Sequence, residues 1–326
     1  MFEKVESERI PVKKPWDHAI NLRKDFVPRK ERTYLMSREE KEEVREFVEE
    51  QLRKGYIRPL KLPQTLPVFF VEKKDRKKRI VQDYRYLNKD TVKDNYPLSL
   101  ISDLIDTMGT KKVFTKMDLY WGYNNVWIKE RDEWKVTFTM HLGVYKSTVM
   151  FFSLTNSLVT FQAIMDNILR DLIDTGDMAA FMDNILVGTE NERRYNEIVE
   201  EVLKRIEAND LYVKLEKCVW KVIEIDFLGL VMSTEGIKMQ EEKVAGVLEW
   251  PRPKIVKNVQ KFLGLANYYR QFMKDFARIA KLLHKLVRKD EKGNWGEKKE
   301  KVFEELKNVM RQLLEKKLFP MYSSTW

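Results

Sequence analysis

Residues 156–208 carry two stretches of helical period with ten residues, "AAFMDNILVG", between them. In the first stretch Phe161, Ile164, Met165, Ile168, Leu169 and Leu172 fall on one face, and Ser157 is placed to cap its start. In the second, Ile198, Val202, Leu203 and Ile206 do the same. The two short apolar runs of those ten residues flank Met182-Asp183, so a tight hairpin fits there. A strand ending at Asp118 precedes this block, and the hairpin "EIDFLGLVMSTEGIKM" follows it. The order strand, helix, hairpin, helix, hairpin suits a sheet with helices on one face, an α+β architecture.

The rest of the chain fits around that body. Residues 1–35 are punctuated by prolines and have no steady period, so they read as an extended arm or linker. Ser37 and Glu40 form a capping box ahead of Val44, Phe47, Val48 and Leu52 at helical spacing, and Gly55 ends that helix. Prolines 59, 63 and 67 block a helix in the next segment, where "VFFVEK" and "RIVQDYR" read as a hairpin with the basic tip "KKDRKK". A break near Gly122 and a second strand are expected after Asp118, then strands around Gly143. After Trp250-Pro251 the pattern is helical to the end, with Val259, Phe262, Leu263, Ala266 and Met273 on one stripe.

The formal charge of +10 on 326 residues favours a polyanionic partner, nucleic acid before an acidic membrane surface. A single cysteine, Cys218, excludes an intramolecular disulfide and fits a reducing, intracellular compartment. With only three histidines besides, the composition argues against a structural zinc site. No run of about 18 apolar residues predicts a membrane span, and the N-terminus has no signal-peptide core. Asp118 and Asp183 lie 65 residues apart, each at a strand end or hairpin tip. Such acids can converge at one sheet edge and hold Mg²⁺, or they can be ordinary turn residues.

Eight motifs, in this order, go further: "RIVQDYRYLNK", "YPLSLISDLID", "VFTKMDLYWGY", "FFSLTNSLVTFQ", "FMDNILVGT", "LYVKLEKC", "FLGLVMSTEGI" and "FLGLANYYRQF". Together they resemble the reverse transcriptase of Ty3/gypsy-type LTR retrotransposons, over about residues 20–310. The resemblance implies a right-hand polymerase fold: an antiparallel palm sheet packed on helices, mixed fingers and a helical thumb. It implies an arm over 1–35, fingers and palm over 36–237, a thumb over 238–288, and over 289–326 the start of a connection to an RNase H unit that the chain does not reach. The implied activity is RNA-directed DNA synthesis by two-metal phosphoryl transfer with Mg²⁺, Mn²⁺ being an alternative. The implied partners are an RNA or DNA template with primer, and deoxynucleoside triphosphates. Asp118 and Asp183 match the family's catalytic, metal-holding acids, and Phe181 the aromatic ahead of the second. Tyr123 matches the aromatic gate beneath the nucleotide sugar, Arg79 the triphosphate contact, and Lys73 or Lys74 its neighbouring lysine. Phe152 matches a residue lining the nucleotide pocket, Gln162 begins the supporting helix, and Phe227, Leu228 and Gly229 match the primer-gripping hairpin.

The chain departs from the family pattern at five places. Asn184 stands where the family has a third carboxylate, Ser153 where it has Gly, and Leu158 where it has Pro; Tyr120 and Trp127 stand where close relatives usually carry Arg. Four of these departures, all but Tyr120, are each reachable by one C-to-T or G-to-A change, a pattern expected of a decaying genomic copy. Two readings stand side by side: a polymerase impaired by Asn184, and an inactive nucleic-acid-binding relic.

Overall fold

The computed structural model describes residues 8–60, 64–72, 78–98, 101–120, 122–288 and 295–315. In chain order the elements are α1 (Arg38–Arg53), β1 (Ile57–Pro59), β2 (Leu66–Glu72), β3 (Lys78–Gln82), α2 (Arg85–Asp90), α3 (Ile101–Met108) and β4 (Val113–Asp118). Then come β5 (Thr137–Met140), β6 (Gly143–Ser147), α4 (Ser157–Asp174), β7 (Met178–Phe181), β8 (Asn184–Thr189) and α5 (Glu192–Ala208). The last part holds β9 (Val219–Val222), β10 (Glu224–Phe227), β11 (Leu230–Ser233), β12 (Gly236–Met239), α6 (Glu241–Leu248), α7 (Val256–Tyr268), α8 (Phe276–Leu286) and α9 (Glu297–Glu315). They form two compact units. One comprises residues 1–99, 117–187 and 196–218, the other 100–116, 188–195 and 219–326.

In the first unit a five-stranded sheet of order β1-β6-β5-β2-β3 is antiparallel except where β2 meets β5, with Leu66 beside Phe138. Helix α1 starts as its capping box predicts: Ser37 Oγ accepts from the Glu40 N–H at 3.2 Å, and Glu40 Oε2 accepts from the Ser37 N–H at 2.9 Å. Val44 and Val48 from this helix close a core with Ile57, Val68, Phe138, Met140 and Tyr145. The residues 8–35 form no ladder, yet they are seated along their length. His18 bridges Ile128, Leu22 bridges Thr91 and Lys30 bridges Thr65, while Trp127 Nε1 donates to the Pro11 carbonyl at 2.6 Å. The partners of these bridges lie far along the chain, so no local pattern announces them.

Two local expectations are corrected here. Asn156, not Ser157, is the N-cap of α4; Ser157 is its first helical residue and donates its hydroxyl to the Phe151 carbonyl at 2.7 Å. No second strand follows Gly122. The chain forms 3₁₀ turns at Gly122–Asn125 and Glu130–Val136, with a single bridge between Trp127 and Val149. The Phe161 ring explains the break: a Cβ on Gly122 would lie 2.7 Å from its Cζ, so only glycine lets the backbone turn that close.

In the second unit the first half of β4 pairs with β9, with Phe114 opposite Val222, and β10-β11-β12 form a separate antiparallel sheet. Helix α6 precedes Trp250, so the helical region begins earlier than the sequence pattern indicates. Helix α9 lies against α8 and α6. Its Phe303 packs against Phe262 in a tilted pair at 4.5 Å between centroids and meets Trp295 edge-on at 5.8 Å. Among the described residues no helix is long and apolar enough to cross a membrane.

Candidate active site

The hairpin between β7 and β8 closes with Phe181 opposite Asn184, so its two-residue tip is Met182-Asp183 and Asn184 already belongs to β8. A two-residue loop needs a positive φ at its first position for the strands to keep their twist, and Met182 adopts φ 57°. That conformation is strained for a residue with a side chain. Gln162, fully buried on α4, holds it. Its Oε1 accepts from the Met182 N–H at 2.7 Å, and its Nε2 donates to the Ala180 carbonyl at 3.0 Å and to Asp166 at 2.7 Å.

The end of β4 lies beside this tip. The Leu119 N–H donates to the Asp183 carbonyl at 2.9 Å, and on the other side the Lys214 N–H donates to the Asp118 carbonyl at 2.8 Å. Two acids far apart in sequence are thus locked to adjacent backbones. Burial raises the Asp183 carboxyl above the usual range; its own backbone N–H opposes this, the negative charge of Asp118 adds to it, and Lys217 draws it back. Lys217 Nζ lies 3.6 Å from Asp118 Oδ2. Asn184 Nδ2 donates to Asp183 Oδ1 at 3.1 Å. Among the described residues no group of three His, Cys, Asp or Glu side chains is placed to hold a metal ion. Two carboxylates on adjacent, hydrogen-bonded backbones fit one hard divalent cation, which takes oxygen ligands. With an amide at 184, only those two formal charges are available where the family pattern has three.

Tyr123 sits in the 3₁₀ turn after β4. Its ring packs 5.3 Å from Phe161 and its hydroxyl reaches Met182 Sδ at 3.5 Å. Burial, then the Asp183 charge, pushes the phenol up to about 12. Tyr123 therefore joins Asp118, Asp183 and Asn184 in one place. Arg79, on β3, lies over Phe152 with Cζ 3.9 Å from the ring centroid, and Phe152 is 37% exposed. Lys73 and Lys74 lie outside the described residues. Phe227, Leu228 and Gly229 belong to the other unit. There they form the tight turn between β10 and β11, with φ 49° at Leu228 and 82° at Gly229. The Tyr268 hydroxyl donates to the Leu228 carbonyl, and the Tyr269 hydroxyl to that of Gly229 at 3.5 Å.

Three residues of the site were not singled out from the sequence. Gln162 stood only for its helix, and its role at the hairpin is a contact across 20 residues. Met182 was placed at the hairpin tip, but its positive φ and its bond to Gln162 were not foreseen. Lys217 was one lysine among many, although the motif "LYVKLEKC" contains it.

Residues 71–232 match the family model described as reverse transcriptase (RNA-dependent DNA polymerase). The chain is 33% identical over 282 residues to the retrovirus-related Pol polyprotein from transposon gypsy of Drosophila melanogaster, covering 81% of this chain and 27% of that protein. It is 30% identical over 263 residues to the transposon Tf2-7 polyprotein of Schizosaccharomyces pombe, covering 81% of this chain and 20% of that one. The chain thus spans about a quarter of the length of these relatives. Among solved structures, the foamy viral protease-reverse transcriptase in complex with RNA/DNA hybrid superposes with TM-score 0.77 at 23% identity, covering 93% of this chain and 41% of that one. A form of that protein in complex with double-stranded DNA gives 0.79 at 24%, covering 94% and 54%. The fold is accordingly the right-hand polymerase fold. Residues 71–232 belong to the reverse transcriptase (RNA-dependent DNA polymerase) family, within a chain similar to the polyproteins of Ty3/gypsy-type retrotransposons.

Proposed function

We propose that this chain is the RNA-directed DNA polymerase part of a retrotransposon polyprotein, extending a primer with deoxynucleotides on an RNA or DNA template, at a rate lowered by Asn184. The observation that carries the reading is the locking of Asp118 and Asp183 to adjacent backbones through the Leu119–Asp183 hydrogen bond of 2.9 Å. In this reading the two carboxylates hold Mg²⁺ or Mn²⁺, which supplies charge compensation for phosphate oxygens when bound. Tyr123 stands beneath the nucleotide sugar, where a 2′-hydroxyl would collide with its ring. Arg79, with Lys73 or Lys74, meets the triphosphate as cation against phosphate charge, and Phe152 lines the same pocket. Phe227, Leu228 and Gly229 grip the primer strand. Fingers and palm span 36–237 and the thumb 238–288, with an arm before them and the start of a connection over 289–326. The nucleic-acid complexes of the foamy viral neighbours and the charge of +10 support a primed template as partner. The single Cys218 supports an intracellular, reducing setting.

One observation favours a second reading, a relic that binds nucleic acid without turnover. Asn184 directs an amide N–H at Asp183 where a carboxylate would add charge. Primer extension with Mg²⁺ and with Mn²⁺ separates the two. Template-dependent extension that vanishes in Asp118→Asn supports the polymerase. Intact hybrid binding with no extension under either metal favours the relic, and absence of both overturns the family function for this chain.

A further inference from the structure

The acid pair has a cation beside it in its own chain. Leu215–Lys217 form a 3₁₀ turn closed by the Lys217 N–H on the Lys214 carbonyl at 2.9 Å. Two connections tie that turn to the end of β4. The backbone connection is the pair Tyr120 N–H to Tyr212 carbonyl at 2.7 Å and Lys214 N–H to Asp118 carbonyl at 2.8 Å. The side-chain connection is the buried Tyr120, whose hydroxyl donates to both Glu216 oxygens at 2.9 Å. Lys214 adds to it, with Nζ 3.7 Å from Glu216 and 5.4 Å from the centroid of the Tyr120 ring. One residue beyond Glu216, the Lys217 ammonium comes to rest 3.6 Å from Asp118 Oδ2. The Lys217 side chain is 55% exposed and that of Asp118 18%.

We propose that the Tyr120–Glu216 clamp makes Lys217 the resident counter-cation of the acid pair, so that a divalent ion binds only by displacing the ammonium from Asp118. The proposal rests on the reading of Asp118 and Asp183 as a divalent-ion site. Asn184 makes the competition matter here. With two formal negative charges at the site, one ammonium cancels half of them; with three it would cancel a third. Tyr120 and Glu216 are positioning residues: they carry the turn that aims Lys217 and need not touch the ion.

Mn²⁺ binding to the full chain tests this, read as free Mn²⁺ by electron paramagnetic resonance with no nucleic acid or nucleotide present. A half-exposed ion pair is worth little, so Lys217→Met should tighten Mn²⁺ binding by about two- to fivefold. Tyr120→Phe and Glu216→Gln should each give part of that gain, Lys217→Arg should restore the original affinity, and Tyr120→Phe should add nothing once Lys217 is Met. Unchanged or weaker binding in Lys217→Met overturns the proposal, as does an added effect of Tyr120→Phe in that background. Asp118→Asn reads the underlying site. If it binds Mn²⁺ as well as the unmodified chain, the acid pair is not the ion site and the proposal falls with it; if it loses binding while Lys217→Met changes nothing, only the counter-cation role falls. Circular dichroism melting of each variant identifies any that does not fold, for which Lys217→Gln is the substitute.

Discussion

On the proposed reading, Asn184 sets how much charge the site presents. Losing one well-placed electrostatic group from a phosphoryl-transfer centre costs about 3–4 kcal/mol in the barrier, or roughly 10²–10³ in rate. Asn184→Asp should therefore raise single-nucleotide incorporation by about that factor, measured with Mg²⁺ in a primer-extension time course; equal rates for both proteins would show that the third carboxylate is dispensable. The other departures from the family pattern are not equivalent. Trp127 is buried and donates its indole N–H to the Pro11 carbonyl, and Tyr120 is buried and donates to Glu216, so both are built into the fold. Ser153 is not: its buried hydroxyl has no hydrogen-bond partner among the described residues. Tyr123, packed on Phe161 with its hydroxyl on Met182, is held against sideways movement. Its Tyr123→Val variant should admit ribonucleotides more readily, and an unchanged preference for deoxynucleotides in competition assays would remove Tyr123 from the sugar gate.

At the scale of elements, the seated arm stands out. His18 is 3% exposed, hydrogen bonds through Nδ1 to the Thr160 hydroxyl at 2.9 Å, and sits between backbone bonds to Trp127 and Lys129. Two residues on, the Ile20 N–H donates to Asp132 at 2.8 Å and its carbonyl accepts from Lys135 at 2.6 Å. Burial lowers the imidazole from 6.5 to about 4, against the opposing charges of Asp132 and Asp94. The folded pKa lies below the unfolded one, so the unfolded chain binds the extra proton between those values. The stabilisation is complete above pH 6.5 and is lost as pH falls towards 4, by about 3 kcal/mol at most. Thermal melting should show a falling Tm over that window, and His18→Gln should flatten it; a slope unchanged in the variant would assign the loss to other groups.

For the whole molecule the net charge is the property that reaches a partner first. If the chain neutralises roughly four to six phosphates of a primed template, log affinity should fall with log salt at a slope of about −3 to −5. Fluorescence anisotropy with an RNA/DNA hybrid measures it, and an affinity flat between low and moderate salt would be incompatible with a phosphate-dominated interface. This holds whichever way the activity of the site falls, because an Asp at position 184 would change the charge of +10 by only one.

Much of the architecture was legible because its causes are local. The capping box at Ser37, the apolar face of α4 and the shortness of "AAFMDNILVG" each act within a few residues, and each formed its element as expected. The roles proposed for Asp118 and Asp183 rest on ordered motifs, which carry chemistry that composition and spacing leave open; the structure adds that the two acids sit on adjacent backbones. What the sequence could not decide was everything set by a partner distant along the chain. The turn after Asp118 replaced a strand because the Phe161 ring fills the space a Cβ at Gly122 would need. The arm is seated because its partners at Thr65, Thr91 and Ile128 are brought to it by folding. Gln162 became the hairpin's anchor, and Lys217 the neighbour of Asp118, only once α4 and the turn at 215–217 had packed. A local pattern determines which element a segment forms; which buried groups face one another follows from tertiary packing, where each polar atom must find its partner wherever the chain supplies it.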